Sequence, residues 1–292
     1  MTSPPASACS RRDFLAALGW LGVTLPLRGS SGCRTPGPVN DRAWGIQLYT
    51  VRDLCREDLE GTLAALAEMG YREVEFENYH GHSAAAVRAM LDRHGLSAPS
   101  SHVDLEALTT GLDQAITDAR TAGHHYLVLR WIPESQRTPE GLKAIADQLN
   151  RAGARLASAG LAVAYHNHYF EFAPLPIGAG ALTAYDLLLE RTDPALVFMQ
   201  LDLFWIRKGG QDALRYLASY PGRFRMVHVK EMAADGSMVD LGRGAMDWPA
   251  LLSASVGAGV GHFFVEHDQP ADPLAFARGA IRYLRTVPLQ GP

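Results

Sequence analysis

The chain has 292 residues, 47% of them hydrophobic, which is enough for one large domain or two small ones. Its formal net charge is −4, but the first 34 residues carry +3, so the rest of the chain carries −7. An acidic body lacks the basic surface of a nucleic-acid-binding protein, and we expect no nucleic-acid partner.

The amino terminus, residues 1–34, has a pattern of its own. Arg11 and Arg12 precede an apolar stretch that ends near Leu27 and is shorter than the roughly 20 residues needed to span a bilayer. This pattern is typical of a cleaved secretory signal, and paired arginines are typical of the twin-arginine (Tat) export route. We therefore expect the Tat machinery as a partner and a periplasmic or exported location. A buried amphipathic helix is the alternative.

The cysteines bear on the tether and on disulfides. Cys33 fits a lipoprotein cleavage site, the one feature that would attach the protein to a membrane, except that Ser30 stands where an aliphatic residue is usual. The following "CRTPGPVND" is rich in proline and glycine and predicts a flexible tether. Beyond it the body has only Cys55, so no internal disulfide is expected.

From Ala43 onward, short apolar or β-branched runs alternate with longer stretches of helical period. Eight runs predict strands, at residues 44–49, 73–77, 98–103, 125–130, 161–166, 196–202, 224–229 and 262–266. The helical stretches between them, such as 56–70 and 138–160, end at glycine, as helices often do.

Eight β–α units over roughly 245 residues match the number and length of a (β/α)8 TIM barrel. A doubly wound open sheet would have fewer strands and a glycine-rich turn after the first one, where this chain has "IQLYTVRD". We therefore predict an α/β fold, a single-domain TIM barrel over residues 43–288, preceded by a cleavable signal segment and tether over 1–34.

Functional groups of a TIM barrel lie at the carboxyl ends of its strands. Strands five to eight end at His166, Asp202, His228 and Glu266. One such residue is usually a loop residue or a hydrogen-bond partner, but four on neighbouring strands predict a divalent metal site, since buried carboxylates are costly without a partner. Two imidazoles and two carboxylates suit Mn²⁺, Zn²⁺, Co²⁺ or Fe²⁺ better than Ca²⁺, and Mg²⁺ is a further candidate.

Other polar residues point to the same end of the barrel. Glu75 ends strand two and His102 ends strand three, while Lys230 shares a face with His228. Arg243 lies between glycines that let the backbone approach a ligand. We assign Glu75 and Arg243 to substrate binding, and His102 and Lys230 to catalysis. The alternatives are a salt-bridged rim carboxylate, a capped loop histidine and a solvated lysine.

Seven segments, taken in order, resemble the xylose isomerase-like TIM-barrel superfamily, also called sugar phosphate isomerases/epimerases. They are "GIQLYTVRD", "GYREVEFENYHGH", "AYHNHYFEF", "MQLDLFWIRKGG", "HVKEM", "LGRGAMDW" and "FVEHD". The resemblance covers about residues 43 to 288 and implies one divalent metal held by Asp202, His228 and Glu266. It also implies proton abstraction next to a carbonyl through an enediolate.

The chain departs from this family at strand five. Its epimerases place a glutamate where this chain has His166, and His168 and Glu171 are near enough to compete for that position. Those enzymes use two metal-bound glutamates as acid and base, of which only Glu266 remains here. The resemblance thus implies Glu266 or an imidazole such as His166 as the proton-transfer group, with His168 beside the substrate.

Three functions stay open at this point. The first is a metal-dependent sugar isomerase or epimerase, the second a keto-sugar dehydratase or lyase on the same site, and the third a non-catalytic exported sugar-binding barrel. Each takes a small sugar or keto-sugar as its partner. An endonuclease IV-like phosphodiesterase is disfavoured, because it would need several metals and a basic rim, although His80 and His82 follow strand two.

Overall fold

A computed structural model of the chain describes residues 42–175 and 182–288. The predicted export signal, the tether and Cys33 lie outside the described residues. Among the helices of the described part, none is long and apolar enough to cross a membrane.

Eight parallel strands close into a barrel. In chain order, β1 to β8 are Gly45–Gln47, Glu73–Phe76, Ser97–Val103, Tyr126–Leu129, Ala162–His166, Val197–Asp202, Phe224–Val229 and His262–Val265. Each strand pairs with its neighbours in sequence, and β1 pairs with β8 to complete the ring. The predicted TIM barrel is confirmed, and every predicted strand overlaps an observed one.

Helices cover the outside of this barrel. In chain order, α1 to α10 are Arg52–Glu57, Leu59–Met69, Ala84–His94, Leu112–Ala122, Pro139–Ser158, Ala184–Arg191, Leu203–Lys208, Ala213–Ser219, Trp248–Gly257 and Pro273–Leu284. Polar side chains begin many of them; Asp58, Ser83 and Thr138 each accept a hydrogen bond from a backbone N–H of the first turn. Helix α2 ends at Gly70, whose φ of 105° favours glycine, so this predicted helix end is confirmed.

Strand β1 is shorter than predicted because the chain turns into a 3-10 helix, Leu48–Val51. The side chain of Gln47 accepts the first N–H of that turn, from Tyr49, at 3.1 Å. Gly45 is required by close packing, since a Cβ there would lie 2.5 Å from the ring of Phe264.

The barrel interior has a mainly apolar lower half and a polar upper half. The lower half is a separate buried cluster, formed by Tyr126, Val128, Ala162, Ala164, Met226 and Phe264. The upper half carries the polar ends of the strands. A short antiparallel ribbon, Glu231–Met232 with Met238–Val239, follows β7 above it.

Candidate metal centre

Glu75 is the centre of the polar upper half of the barrel. Its Oε2 accepts hydrogen bonds from Nε2 of Gln47 at 2.8 Å and from Nε2 of His228 at 2.6 Å. Its Oε1 accepts from Oγ of Ser100 at 2.5 Å and from Nε2 of Gln200 at 2.7 Å. The carboxylate thus ties β2 to four other strands.

The predicted contact of Glu75 with substrate is corrected by this geometry. The side chain is 0% exposed and both oxygens are occupied, so it orients neighbouring groups and does not face a ligand. Burial opposes its ionisation, but His102 and His228 hold the pKa of Glu75 well below its usual range.

Three ligand atoms converge, one each from Asp202, His228 and Glu266. Because Nε2 of His228 is taken by Glu75, its Nδ1 faces Oε2 of Glu266 at 2.6 Å and Oδ2 of Asp202 at 3.7 Å. One atom from each of these three residues lies within 4.8 Å of the others. All three atoms are buried and lack a hydrogen bond of acceptable geometry. Buried polar atoms without a well-formed hydrogen bond are costly, and this set of donor atoms fits a divalent cation.

Local structure aims the carboxylate of Asp202. Its Oδ1 begins helix α7 by accepting the N–H of Phe204 at 3.0 Å and of Trp205 at 2.9 Å. Its own N–H donates to Oδ1 of Asn167 at 3.0 Å, which fixes the residue against strand β5. With Oδ1 engaged outward, Oδ2 is left to face the interior.

A buried ammonium lies beside the three ligand atoms. Nζ of Lys230 is 3.0 Å from Oδ2 of Asp202, 3.0 Å from Oε2 of Glu266 and 2.9 Å from Oδ1 of Asp268. Burial favours the neutral amine, but these three carboxylates raise the pKa of Lys230 above its usual value. The site therefore holds a fixed positive charge next to its carboxylates.

His166 joins a second group of histidines. It pairs in register with Gln200, two residues before Asp202, and its ligand atom groups with those of His102 and His228 and not with those of Asp202 and Glu266. A ligand atom of His166 lies within 4.8 Å of atoms of His102 and His228, and the rings of His166 and His228 are 4.6 Å apart. Burial and the neighbouring His228 hold the pKa of His166 well below its usual value.

His102 faces this interior and is no capped loop histidine. Its Nε2 lies 2.8 Å from Oε1 of Gln200 and 3.3 Å from Oε2 of Glu75. The two histidine-containing groups thus share His228 and rest on the same buried carboxylate.

The loop after β5 supplies His168 and is anchored by Glu171. The carboxylate of Glu171 accepts the hydroxyl of Tyr165 at 2.5 Å and the N–H of His168 at 2.9 Å, so neither oxygen is free to act as the strand-five ligand. Burial raises the pKa of Glu171 to about 7. Burial and then Lys230 lower the pKa of His168 to about 3, which keeps its imidazole neutral.

These groups open into a central cavity of about 290 Å³. It is lined by Tyr49, Glu77, His102, Arg130, Trp131, His166, His168, Trp205, Lys230, Glu266 and Asp268. Most of the predicted catalytic and binding residues meet here, at the carboxyl ends of the strands.

A family model described as xylose isomerase-like TIM barrel matches residues 63–287. The chain belongs to this family. The match covers most of the barrel, including every strand from β2 to β8.

Curated relatives named inosose dehydratase align with part of the chain. The protein from Geobacillus thermodenitrificans is 29% identical over 172 residues, which is 51% of this chain and 55% of that protein. The protein from Geobacillus kaustophilus is 25% identical over 222 residues, which is 68% of this chain and 67% of that protein. In the first alignment the chain spans about half the length of its relative.

Two solved structures illustrate the shared fold. A sugar phosphate isomerase/epimerase from Parabacteroides distasonis superposes with a TM-score of 0.74 at 23% identity, covering 90% of this chain and 99% of that chain. The IolI protein, whose structure contains a bound zinc atom, superposes with a TM-score of 0.64 at 17% identity, covering 82% and 95%. At these identities the likeness concerns the fold alone.

The structure does not bring Arg243 to the central cavity. Its side chain is 78% exposed and lies 4.0 Å from Asp240. The surrounding loop is instead held by the buried carboxylate of Glu231, which accepts the N–H of Gly242 at 3.1 Å and the indole N–H of Trp248 at 2.6 Å.

Sequence reasoning missed several residues of this site. Asp268, which forms an ion pair with Lys230, could have been predicted. It lies two residues after Glu266, just as Lys230 lies two residues after His228. Gln47 and Ser100 gave no signal, since a polar residue inside a short strand has no distinctive pattern.

Proposed function

We propose that this chain is a divalent-metal-dependent dehydratase that acts on a keto-sugar or keto-cyclitol. The observation that carries the proposal is the convergence of buried ligand atoms of Asp202, His228 and Glu266, none with a well-formed hydrogen bond, beside the ammonium of Lys230 and at a cavity. The inosose dehydratases that align with the chain support dehydration as the outcome.

The metal would be held by Asp202, His228 and Glu266, with His166 as the candidate fourth ligand. An ion at this position supplies Lewis-acid polarisation of the substrate carbonyl. The mixed nitrogen and oxygen donors favour Zn²⁺, Mn²⁺, Co²⁺ or Fe²⁺ over Ca²⁺, with Mg²⁺ a further candidate. The zinc in the IolI structure supports Zn²⁺ as the first ion to test.

The chain's own residues would perform the proton transfers. Glu266 removes the proton from the carbon next to the carbonyl, or His166 does so where it does not hold the metal, and the C–H electron pair forms a C=C bond. The β C–O bond breaks, and His102 protonates the departing oxygen, which leaves as water, while the neutral imidazole of His168 contacts the substrate. The ammonium of Lys230 stabilises the negative charge that develops on the carbonyl oxygen.

Isomerisation or epimerisation is the second candidate. The central cavity presents the carboxylate of Glu266 together with the imidazoles of His166 and His168. If one group removes a proton and another returns it, the carbonyl moves to the next carbon (isomerisation) or the configuration of one carbon is inverted (epimerisation). Neither reaction releases water.

Incubation of the metal-loaded protein with an inosose in D₂O separates these reactions. A product lighter by one water supports dehydration, deuterium in a sugar of unchanged formula supports isomerisation or epimerisation, and neither result with measurable binding supports a non-catalytic sugar-binding barrel. Glu266→Gln is the matched control, because it keeps the shape of the side chain and removes its charge. Full turnover by this variant would overturn the assignment of Glu266.

We also propose that residues 1–34 direct export by the Tat route, so that the substrate is met outside the cytoplasm. The support is the paired Arg11 and Arg12 ahead of a short apolar stretch. An Arg11→Lys, Arg12→Lys double variant should accumulate in the cytoplasm, and equal export of both proteins would overturn the proposal. A Cys33→Ala variant tests the lipoprotein site by its share in the membrane fraction.

A further inference from the structure

A second cavity of about 530 Å³ opens beside the central one. The two share Glu77, His102 and Arg130 in their linings, so they are neighbouring parts of one depression at the barrel mouth. The side cavity extends from the end of β2 and from β3 to helix α4. It is larger than the central cavity, whose 290 Å³ lies near the lower limit of about 300 Å³ for small-molecule sites.

The side cavity combines an apolar floor with a polar rim. Val103 and Leu127 are among its apolar residues, together with small alanines of helix α4. Apolar walls with a few polar groups are typical of sites for neutral organic ligands.

The charge of the rim selects the ligand class. Four carboxylates line the cavity, from Glu77, Asp104, Glu106 and Asp118. Arg130 is the one cation in this lining, and its guanidinium is engaged by Asp104 through two contacts of 2.9 Å. Carboxylates accept hydrogen bonds from hydroxyl groups and repel phosphate, so the rim fits an uncharged polyhydroxylated group.

Exposed aromatic rings stand at the same mouth. Of the large hydrophobic side chains that the described residues leave exposed, Tyr49 (38%) and Trp131 (42%) line the central cavity. Their position in the lining of the cavity places flat rings where they suit the C–H face of a sugar.

We infer that the substrate has two rings, with the keto ring in the central cavity and a second, uncharged sugar ring or aglycone in the side cavity. This inference rests on the proposed function, because the keto ring is placed by the metal centre. The enzyme would therefore act on unphosphorylated glycosides in preference to free or phosphorylated monosaccharides.

Calorimetry with three keto-hexose probes tests this side cavity. The probes are the methyl glycoside, the disaccharide in which the same ring is linked to glucose, and the 6-phosphate ester. For the wild-type protein we expect the disaccharide to bind at least tenfold tighter than the methyl glycoside, and the phosphate ester to bind more weakly than both. Ala115→Trp should remove the tenfold advantage without weakening methyl glycoside binding, because Ala115 lines only the side cavity.

Two further variants guard against a folding artefact. Ala107→Phe fills the same cavity from the 3-10 turn Leu105–Leu108 and should act like Ala115→Trp. Thr117→Trp places the same bulk on the exposed face of α4, outside both linings, and should keep the tenfold preference.

The outcomes separate the two proposals. Equal affinity of wild type for methyl glycoside and disaccharide, or a preference that survives both filling variants, overturns the two-ring substrate whatever the reaction. If the filling variants abolish the disaccharide preference but no probe is turned over, the side cavity is supported as a binding site. The proposed dehydratase activity is then overturned. Tighter binding of the phosphate ester overturns the assigned ligand class.

Discussion

Strand β2 carries two glutamates, two residues apart, and each lies against a histidine. Glu73, at the amino end of the barrel, has both oxygens within 3.0 Å of Nδ1 of His262, whose side chain is 26% exposed. Glu75, in the barrel centre, contacts Nε2 of His228 at 2.6 Å, and neither side chain is exposed. The two pairs have the same chemistry and different surroundings.

The surroundings decide which pair can bind a metal. His262 lies among the aromatic rings of Tyr126 and Phe264. The free nitrogen of His228 faces carboxylates of Asp202 and Glu266. The Glu73–His262 pair thus contributes to packing, whereas the Glu75–His228 pair is part of a candidate metal site, because its second histidine nitrogen faces further ligand atoms.

The largest expected effect on metal binding comes from removing a carboxylate that faces the second nitrogen of His228, so that the Glu75–His228 pair resembles the Glu73–His262 pair. Asp202→Asn removes a charged ligand, while its amide oxygen can still begin helix α7. We expect bound metal to fall at least tenfold from about one ion per chain, and turnover to fall by about 10³-fold. Elemental analysis and rate measurements check this. Asp212→Asn, the same change at the start of α8, is the matched control, and full metal in Asp202→Asn would refute the ligand assignment.

His166→Ala tests whether the second histidine group takes part in the same site. We expect metal content to fall at least tenfold, because the ring of His166 lies 4.6 Å from that of His228. His168→Ala is the comparison, and it should keep the metal while weakening substrate binding. If His168→Ala loses the ion and His166→Ala keeps it, the strand-five ligand is His168.

Glu75→Gln and Glu73→Gln form a matched pair on one strand. Loss of the Glu75 charge should lower metal affinity 10–100-fold, because an outer carboxylate orients its histidine and raises its basicity. Glu73→Gln should leave metal affinity unchanged and alter the free energy of unfolding by less than about 1 kcal/mol, since its partner is partly exposed. Competition titrations with a chelator measure the first quantity and urea unfolding the second. Equal metal affinity in both variants would refute the contrast.

Glu171 extends the comparison to a buried carboxylate with no histidine ring against it. Burial raises its pKa to about 7, so the folded state binds a proton that the unfolded state releases above about 4.5. Stability therefore rises as the pH falls from 8 to 5, by about 2 kcal/mol from this group. Glu171→Gln mimics the protonated form and should lose that share of the pH dependence. Urea unfolding at both pH values checks it, and an unchanged slope would contradict the assignment.

The sequence predicted the fold well because the strand signal is local. Runs such as 161–166 and 224–229 are apolar and β-branched, and they match the observed Ala162–His166 and Phe224–Val229 within one residue. The same alternation placed His228 and Asp202 inside the barrel. Short-range pattern was enough for these residues.

The arrangement within the site could not be predicted because it depends on register between strands. That His166 pairs with Gln200, and thus meets His102, is set by strand stagger, which no run of residues reports. The burial of Glu75 depends on donors from four strands. Arg243 was misjudged because flanking glycines mark a flexible backbone without giving its direction.

The apolar cluster in the lower half of the barrel affects how ligands enter and leave the central cavity. Tyr126, Met226 and Phe264 fill the floor, so within the described residues the central cavity opens at the carboxyl ends of the strands, and substrate and product of the proposed reaction would share that opening. The product must leave the cavity before the next substrate molecule binds, so we expect the product to be a competitive inhibitor.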